Sequence, residues 1–244
     1  MTATLVSTNS AGEIANAASL FPSISGNGRF VAFDSTATNF ATDDTNNAAD
    51  IFWRDLSNNT TIRISLSAIG EQGNGISSLP AISNNGQLVA FQSLASNLVT
   101  GDTNNRADIF LRDVQANTTT RVSAWATGEQ GNGNSVSAPA ISGTGRFVAF
   151  VSDSSNLVPG DANNLPDVFM RDLQANTIAR ASADAAGEVA NGISLLPAIS
   201  NDGKRVAFYS LASNLVPGDT NNVSELNGVE FSAIGPQDFS SVEL

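Results

Sequence analysis

Four stretches of the chain carry side-chain oxygens at a fixed spacing. In three of them the pattern is Asp-x-Asn-Asn-x-x-Asp, giving Asp44, Asn46 and Asp50; Asp102, Asn104 and Asp108; and Asp161, Asn163 and Asp167. The fourth reads Asp219, Asn221 and then Glu225. Oxygen ligands at positions 1, 3 and 7, with the carbonyl at position 5, resemble the first half of a calcium loop. These residues are the candidate metal ligands, and the expected ion is calcium in a structural role. Two carboxylates with neutral oxygens imply weak binding, roughly 10⁻⁴ to 10⁻³ M. A full EF-hand is not expected, since position 6 is not Gly; Asp55, Asp113 and Asp172 stand at position 12, where a strand would carry them away. The competing reading is that Asp and Asn cap a turn through their own backbone. Against it, two carboxylates held close together repel unless a cation lies between them.

Most other chemistry is excluded by composition. The 244 residues contain no His and no Cys, so imidazole acid–base catalysis, thiol nucleophiles, disulfides and zinc–thiolate sites are absent. With 11 basic and 23 acidic residues the net charge is −12, and Lys204 is the only lysine, which disfavours nucleic acid and anionic membrane surfaces. No apolar run is long enough to span a bilayer, and the first twenty residues lack the basic and apolar regions of a signal peptide. Hard-oxygen chemistry is what remains.

The spacing of these loops belongs to a repeat. Pro80-Ala81-Ile82-Ser83, then Gly86, then Val89-Ala90-Phe91 recurs from Pro22, Pro139 and Pro197, at steps of 58, 59 and 58 residues. Asp44, Asp102, Asp161 and Asp219 step identically. Each copy contains four short strand candidates between turn residues; in the second they are 80–83, 87–93, 108–114 and 119–125. The continuous apolar run Leu88 to Phe91 suits a strand covered on both faces. Pro is expected to open the first strand, and Asn27-Gly28, Asn85-Gly86 and Thr144-Gly145 to turn into the second. The fold class is therefore all-β, a β-propeller of four-stranded antiparallel blades with four repeats of about 58 residues.

The same residues resemble the β-propeller repeat of TolB-type proteins. The likeness runs through Pro-Ala-Ile-Ser, the turn Gly, Val-Ala-Phe, Asp-Ile-Phe-Leu-Arg-Asp at 108–113 and Thr-Arg-Val-Ser at 120–123, and covers nearly the whole chain. It implies the fold more than an activity, because such propellers serve as binding scaffolds, periplasmic partners and accessory domains of peptidases.

Two departures from a regular ring stand out. Residues 3–13 match the fourth strand and exit loop of the second copy, whereas the last copy fits its third strand badly over 223–231. The expected arrangement is one domain over 1–244, with an outer strand at 3–13 and repeats at about 22–79, 80–138, 139–196 and 197–244. The N-terminal strand would then latch the last blade and close a monomeric ring. The alternative is that the last copy has deleted its third strand and kept Ser232-Ala233-Ile234-Gly235 as its fourth, so that two chains complete a larger ring.

A second recurring element, Gly-Glu-x-x-Asn, lies at Gly12, Glu13 and Asn16; Gly70, Glu71 and Asn74; Gly128, Glu129 and Asn132; and Gly187, Glu188 and Asn191. Its Glu and Asn are expected to fix the turn from one blade to the next. Arg54, Arg112 and Arg171 are expected to form inter-strand ion pairs, and Trp53 and Trp125, which do not recur, to pack. Asp34, Asp153, Asp184 and Asp202 stand outside the recurring positions and show no glycosidase-like pairing. Together these readings point to a non-enzymatic, calcium-stabilised, extracellular or cell-surface module that binds an unknown protein or glycan. The alternative is a carbohydrate-active propeller, lectin or glycosidase.

Overall fold

The computed structural model describes residues 2–221 and 223–230. Among these there is no helix, and fifteen strands form four antiparallel sheets. The first sheet holds β1 (Ser19–Ile24), β2 (Phe30–Ser35), β3 (Asp50–Asp55) and β4 (Thr60–Arg63) in sequence order. The second holds β5 (Ser77–Ile82), β6 (Leu88–Ser93), β7 (Asp108–Asp113) and β8 (Thr118–Arg121). The third holds β9 (Ser135–Ile141), β10 (Phe147–Ser152), β11 (Asp167–Asp172) and β12 (Thr177–Arg180). The fourth has three strands among the described residues: β13 (Ser194–Ile199), β14 (Arg205–Ser210) and β15 (Glu225–Glu230).

The sheets stack as propeller blades. Their first strands pack on one another at the centre, β1 on β5, β5 on β9 and β9 on β13, and each second strand packs on the next blade's first. The apolar run of the second strand serves both faces, as its composition required. On one face Val89 and Phe91 meet Ala32, Ile51 and Ile64 of the first blade; on the other Ala90, with Ile109 and Val122, meets Val148 and Phe150 of the third. The same contact recurs where Ala149, Val168 and Ala181 meet Val206 and Phe208. Near the centre the inner turns are hydrogen-bonded in succession. Asn84 N donates to Gly143 O at 3.0 Å, Gly143 N donates to Asn201 O at 2.9 Å, and Asn84 Nδ2 donates to Asn201 Oδ1 at 2.5 Å.

Three expectations are corrected. The prolines do not open the first strands, which start upstream: β5 begins at Ser77, and Pro80 lies inside it at a bulge between Ser78 and Ala81. The residue before that proline, Leu79, has φ 57°, and Phe21 and Leu196 occupy the same left-handed region before Pro22 and Pro197. A bulge lets the strand keep its proline because the ladder is already interrupted there. Second, the last blade retains a third strand. β15 pairs with β14 from Ser210↔Glu225 to Arg205↔Glu230, the register in which β11 pairs with β10, so that strand is not deleted. Ser232-Ala233-Ile234-Gly235 lies outside the described residues.

The third correction concerns the N-terminal segment, which forms no ladder with β15 among the described residues. It makes a single bridge, Thr8↔Ile14, and sits on the first blade. There it takes the place that the exit of one blade takes on the next: Thr61 Oγ1 donates to Thr8 O at 2.5 Å, as Thr119 Oγ1 does to Leu66 O. The match of 3–13 to an outer-strand exit is thus real, while its latching partner is not in view. No strand of the fourth blade packs on the first as the blades in between pack on each other, among the described residues.

Candidate functional site

Each Asp/Asn loop connects the second strand of its blade to the third, and its last Asp opens that third strand. Asp50, Asp108 and Asp167 are fully buried. In each case one carboxylate oxygen accepts a hydrogen bond at 2.5 Å from a serine just past the fourth strand, Ser65, Ser123 or Ser182. The same serine oxygen accepts the N–H of the next residue, Ile51, Ile109 or Val168. The first Asn of the loop has a fixed duty. Asn46 Oδ1 accepts the Ala48 N–H at 2.8 Å, while its Nδ2 donates to Gly73 O and Asp50 Oδ2. Asn104 and Asn163 do the same with Arg106 and Leu165. The second Asn of each pair, Asn47, Asn105 and Asn164, takes φ 53°, 53° and 55°, the left-handed conformation that Asn tolerates better than most residues.

The loop therefore brings together the two carboxylates predicted to meet, but its Asn orients as a turn cap. The counter-charge comes from a residue that the sequence reading passed over. Arg63, at the end of β4, places Nη1 3.9 Å from both Asp44 Oδ1 and Asp50 Oδ2, and its Nη2 lies 2.8 Å from Asp43. Arg121 lies 3.5 Å from Asp102 and 3.7 Å from Asp108, and Arg180 lies 3.6 Å from Asp161. In the first blade Gln72 Nε2 also bridges the pair, donating to Asp44 at 2.8 Å and Asp50 at 2.9 Å. One guanidinium against the paired carboxylates leaves the first and third loops net negative, whereas Arg106 within the second loop brings that one to balance. Burial raises Asp108 and Asp167 to about 6, with the serine hydrogen bonds working against it, and also raises Asp50, Asp102 and Asp161.

As a fit test for calcium, the donor set is hard oxygen on two facing carboxylates, with the Asn oxygen committed elsewhere. Backbone carbonyls or water would have to supply the rest of the shell. Among the described residues no three acidic side chains converge. In the fourth copy Asn221 Nδ2 donates to Glu225 at 2.7 Å, and Asp219 Oδ1 is buried without a hydrogen-bond partner.

The remaining charged motifs are structural. Arg54, expected to form an ion pair, instead donates from Nη1 to Thr8 O, Asn9 O, Asn59 O and Thr61 Oγ1. Arg112 reaches Leu66 O and Ser67 O, and Arg171 reaches Ala124 O, so this arginine ties the second and third blades to the exit of the one before. Neighbouring strand residues face opposite ways, which separates Arg54 from Asp55. Asp55 pairs with Arg29 through two hydrogen bonds of 2.9 and 2.6 Å, which hold it down to about 2, and Asp172 pairs likewise with Arg146.

In the Gly-Glu-x-x-Asn element, Asn is the clamp. Asn74 N and Nδ2 donate to Asn97 Oδ1 and Ser96 Oγ, its Oδ1 accepts Ser96 N, and Asn97 Nδ2 donates to Gln72 O. The set recurs at Asn16, Asn132 and Asn191. The Glu acts mainly through its backbone; Glu13 alone receives a side-chain bond, from Asn9, at 2.7 Å. The partners Asn39, Asn97, Asn156 and Asn214 were missed, although they too step by 58, 59 and 58 residues. Trp53 packs as expected, stacked on Phe30 with 4.7 Å between ring centres, while its Nε1 donates to Gly86 O. Trp125 is packed against the core between the second and third blades.

A cavity of about 430 Å³ lies where the repeat departs from itself. Asn227 replaces the buried Phe52, Phe110 and Phe169, and Val229 replaces Arg54, Arg112 and Arg171. The space left is lined by Asp184, Asn214 and Asn227 among apolar residues.

No family profile matches the sequence, and no curated protein does so. Solved structures do match. TolB from Acinetobacter baumannii superposes with a TM-score of 0.50 at 18% identity, over 88% of this chain and 41% of that one. The tricorn protease gives 0.52 at 15% identity, over 87% and 18%. A prolyl endopeptidase gives 0.51 at 16%, over 86% and 29%. The chain spans less than half the length of each. The fold is thus a set of TolB-like β-propeller blades, and at these identities the likeness extends to the fold alone.

Proposed function

We propose that the chain is a non-enzymatic propeller module, extracellular or at a cell surface, that binds or braces a protein or glycan partner. The observation that carries this reading is how its ionisable groups are used. The paired carboxylates, Arg63, Arg121 and Arg180, and the arginines at 54, 112 and 171 occupy the same internal roles in three successive blades. Groups tied into one repeat after another brace the blade, whereas a catalytic centre needs residues free to meet a substrate. Calcium fits this role as a supplementary staple. It would supply the positive charge that one arginine leaves short in the first and third loops, beside carboxylates such as Asp50 and Asp167 whose affinity for protons burial raises.

A second reading, a carbohydrate-active propeller, is favoured by the cavity at Asp184, Asn214 and Asn227, which is roomy and breaks the repeat. A glycan array combined with glycosidase, lyase and peptidase substrate screens separates the two. The scaffold reading expects no turnover. Turnover that Asp184→Asn abolishes would overturn it and place an activity in that cavity.

A further inference from the structure

The three blade junctions are built from the same two faces. The trailing face presents Ala32 and Ile51, then Ala90 and Ile109, then Ala149 and Val168. The leading face presents Val89, Phe91 and Ile82; Val148, Phe150 and Ile141; Val206, Phe208 and Ile199. Among the described residues, each face also occurs once with no blade packed against it. On the fourth blade Ala207 and Leu226 stand where Ala149 and Val168 are fully buried, yet Leu226 is 86% exposed. On the first blade Ile24 is 61% exposed, whereas its counterpart Ile82, in the same register, is 8% exposed.

The turn glycines tell the same story. A Cβ on Gly86, Gly145 or Gly203 would strike Phe30, Leu88 or Phe147 of the preceding blade, but one on Gly28 would meet nothing within 4 Å. The leading face of the first blade is covered in part: Val31 and Phe33 are buried, with Val6 of the N-terminal segment packed against them, while Ile24 stays exposed. Val6 packs there where Ile64 packs on the second blade, and beside it a groove of about 240 Å³ remains, lined by Leu20, Pro22, Val31 and Phe33. The missing groups are those that a second and third strand of a preceding blade would bring, and the fourth blade carries them uncovered.

We propose that the face of the fourth blade at Ala207 and Leu226 seats on the first blade of a second copy of this chain, head to tail, against Ile24 and the groove rim at Leu20 and Pro22. The contact is heterologous and continues the junction already used three times within the chain. Two copies satisfy both ends by closing on each other.

Light scattering on the 244-residue chain tests this, with a mass of twice 25.1 kDa expected. Ile24→Asp and Leu226→Asp each place a charge on one face. Both residues are exposed in the single chain, so each variant is expected to keep the wild-type circular dichroism while losing the dimer mass. Head-to-tail geometry makes a sharper demand. Mixing the two variants leaves one junction in which both faces are wild type, so the mixture recovers a dimer that neither variant forms alone. A wild-type monomer up to 100 μM overturns the proposal, as does a dimer that survives both substitutions or fails to return on mixing.

Discussion

Lowering the pH from 7.5 to 5 should make this protein more stable, contrary to the usual behaviour of a chain held by ionised carboxylates. Asp108 and Asp167 are fully buried, and burial raises both to about 6. A carboxyl whose folded value lies above its unfolded one favours folding below the unfolded value, and that contribution is lost as the pH rises through 6. Complete protonation is worth about 3 kcal/mol per group for a shift of about two units, and at pH 5 roughly 1.4 kcal/mol of this is realised. Two groups then contribute about 3 kcal/mol, a rise in Tm of roughly 5–10 °C for a domain of this size.

Relief of general charge repulsion acts in the same direction, because the chain carries −12. The melts should therefore be run with a chelator in about 0.5 M NaCl, where the Debye length shrinks to roughly 4 Å and exposed charges no longer see each other. The buried pairs Asp102/Asp108 and Asp161/Asp167 are not screened in that way. Below about pH 4 the trend should reverse, as Asp55, held down to about 2 by Arg29, begins to lose its pairing. A Tm that is level or rising between pH 5 and 7.5 in high salt would refute the reasoning.

Calcium should act on the same groups from the other side. At pH 7.5, an excess of about ten times the dissociation constant adds roughly 1.4 kcal/mol per site and about 4 kcal/mol over three sites, and a Tm unmoved between millimolar calcium and chelator removes calcium from the description. Arg112→Met removes the guanidinium's bonds to Leu66 O, Ser67 O and Thr119 Oγ1, while Thr119 Oγ1 still donates to Leu66 O and Gly70 N to Ser67 O. The expected cost is about 1.5–3 kcal/mol, read as a lower urea midpoint at unchanged slope, and a midpoint within error of wild type would show that the tie is dispensable.

What the sequence revealed and what it hid follow from the range of the interactions. Turn glycines, the Val-Ala-Phe runs and the step of 58 or 59 residues are local patterns, and the blades are legible from them. The proximity of Asp44 to Asp50 was also legible, because a seven-residue loop enforces it. The role of Arg63 was not, since it acts from the end of a different strand and only the pairing Phe52↔Arg63 brings it over the loop. Arg54 was misread for the converse reason: its neighbour in sequence, Asp55, points the other way, and its real partners, Thr8 and Asn9, lie 46 and 45 residues earlier. The third strand of the last blade was obscured because Asn227 and Gly228 stand where Phe and Met or Leu had marked it, although the backbone register is unchanged.

The loop after the first blade is tied backward to that blade's Asp loop, through Gln72 and the Asn46 bond to Gly73 O, and forward to the second blade's long loop through Asn74 and Asn97. A blade that opens therefore removes one wall from each neighbour. Such a chain behaves as a nearest-neighbour array in which interface and intrinsic stability add blade by blade. Under force, or in a protease, it should come apart from its ends inward, the fourth blade first, because there Val229 and Asn227 have replaced the arginine tie and the phenylalanine wedge.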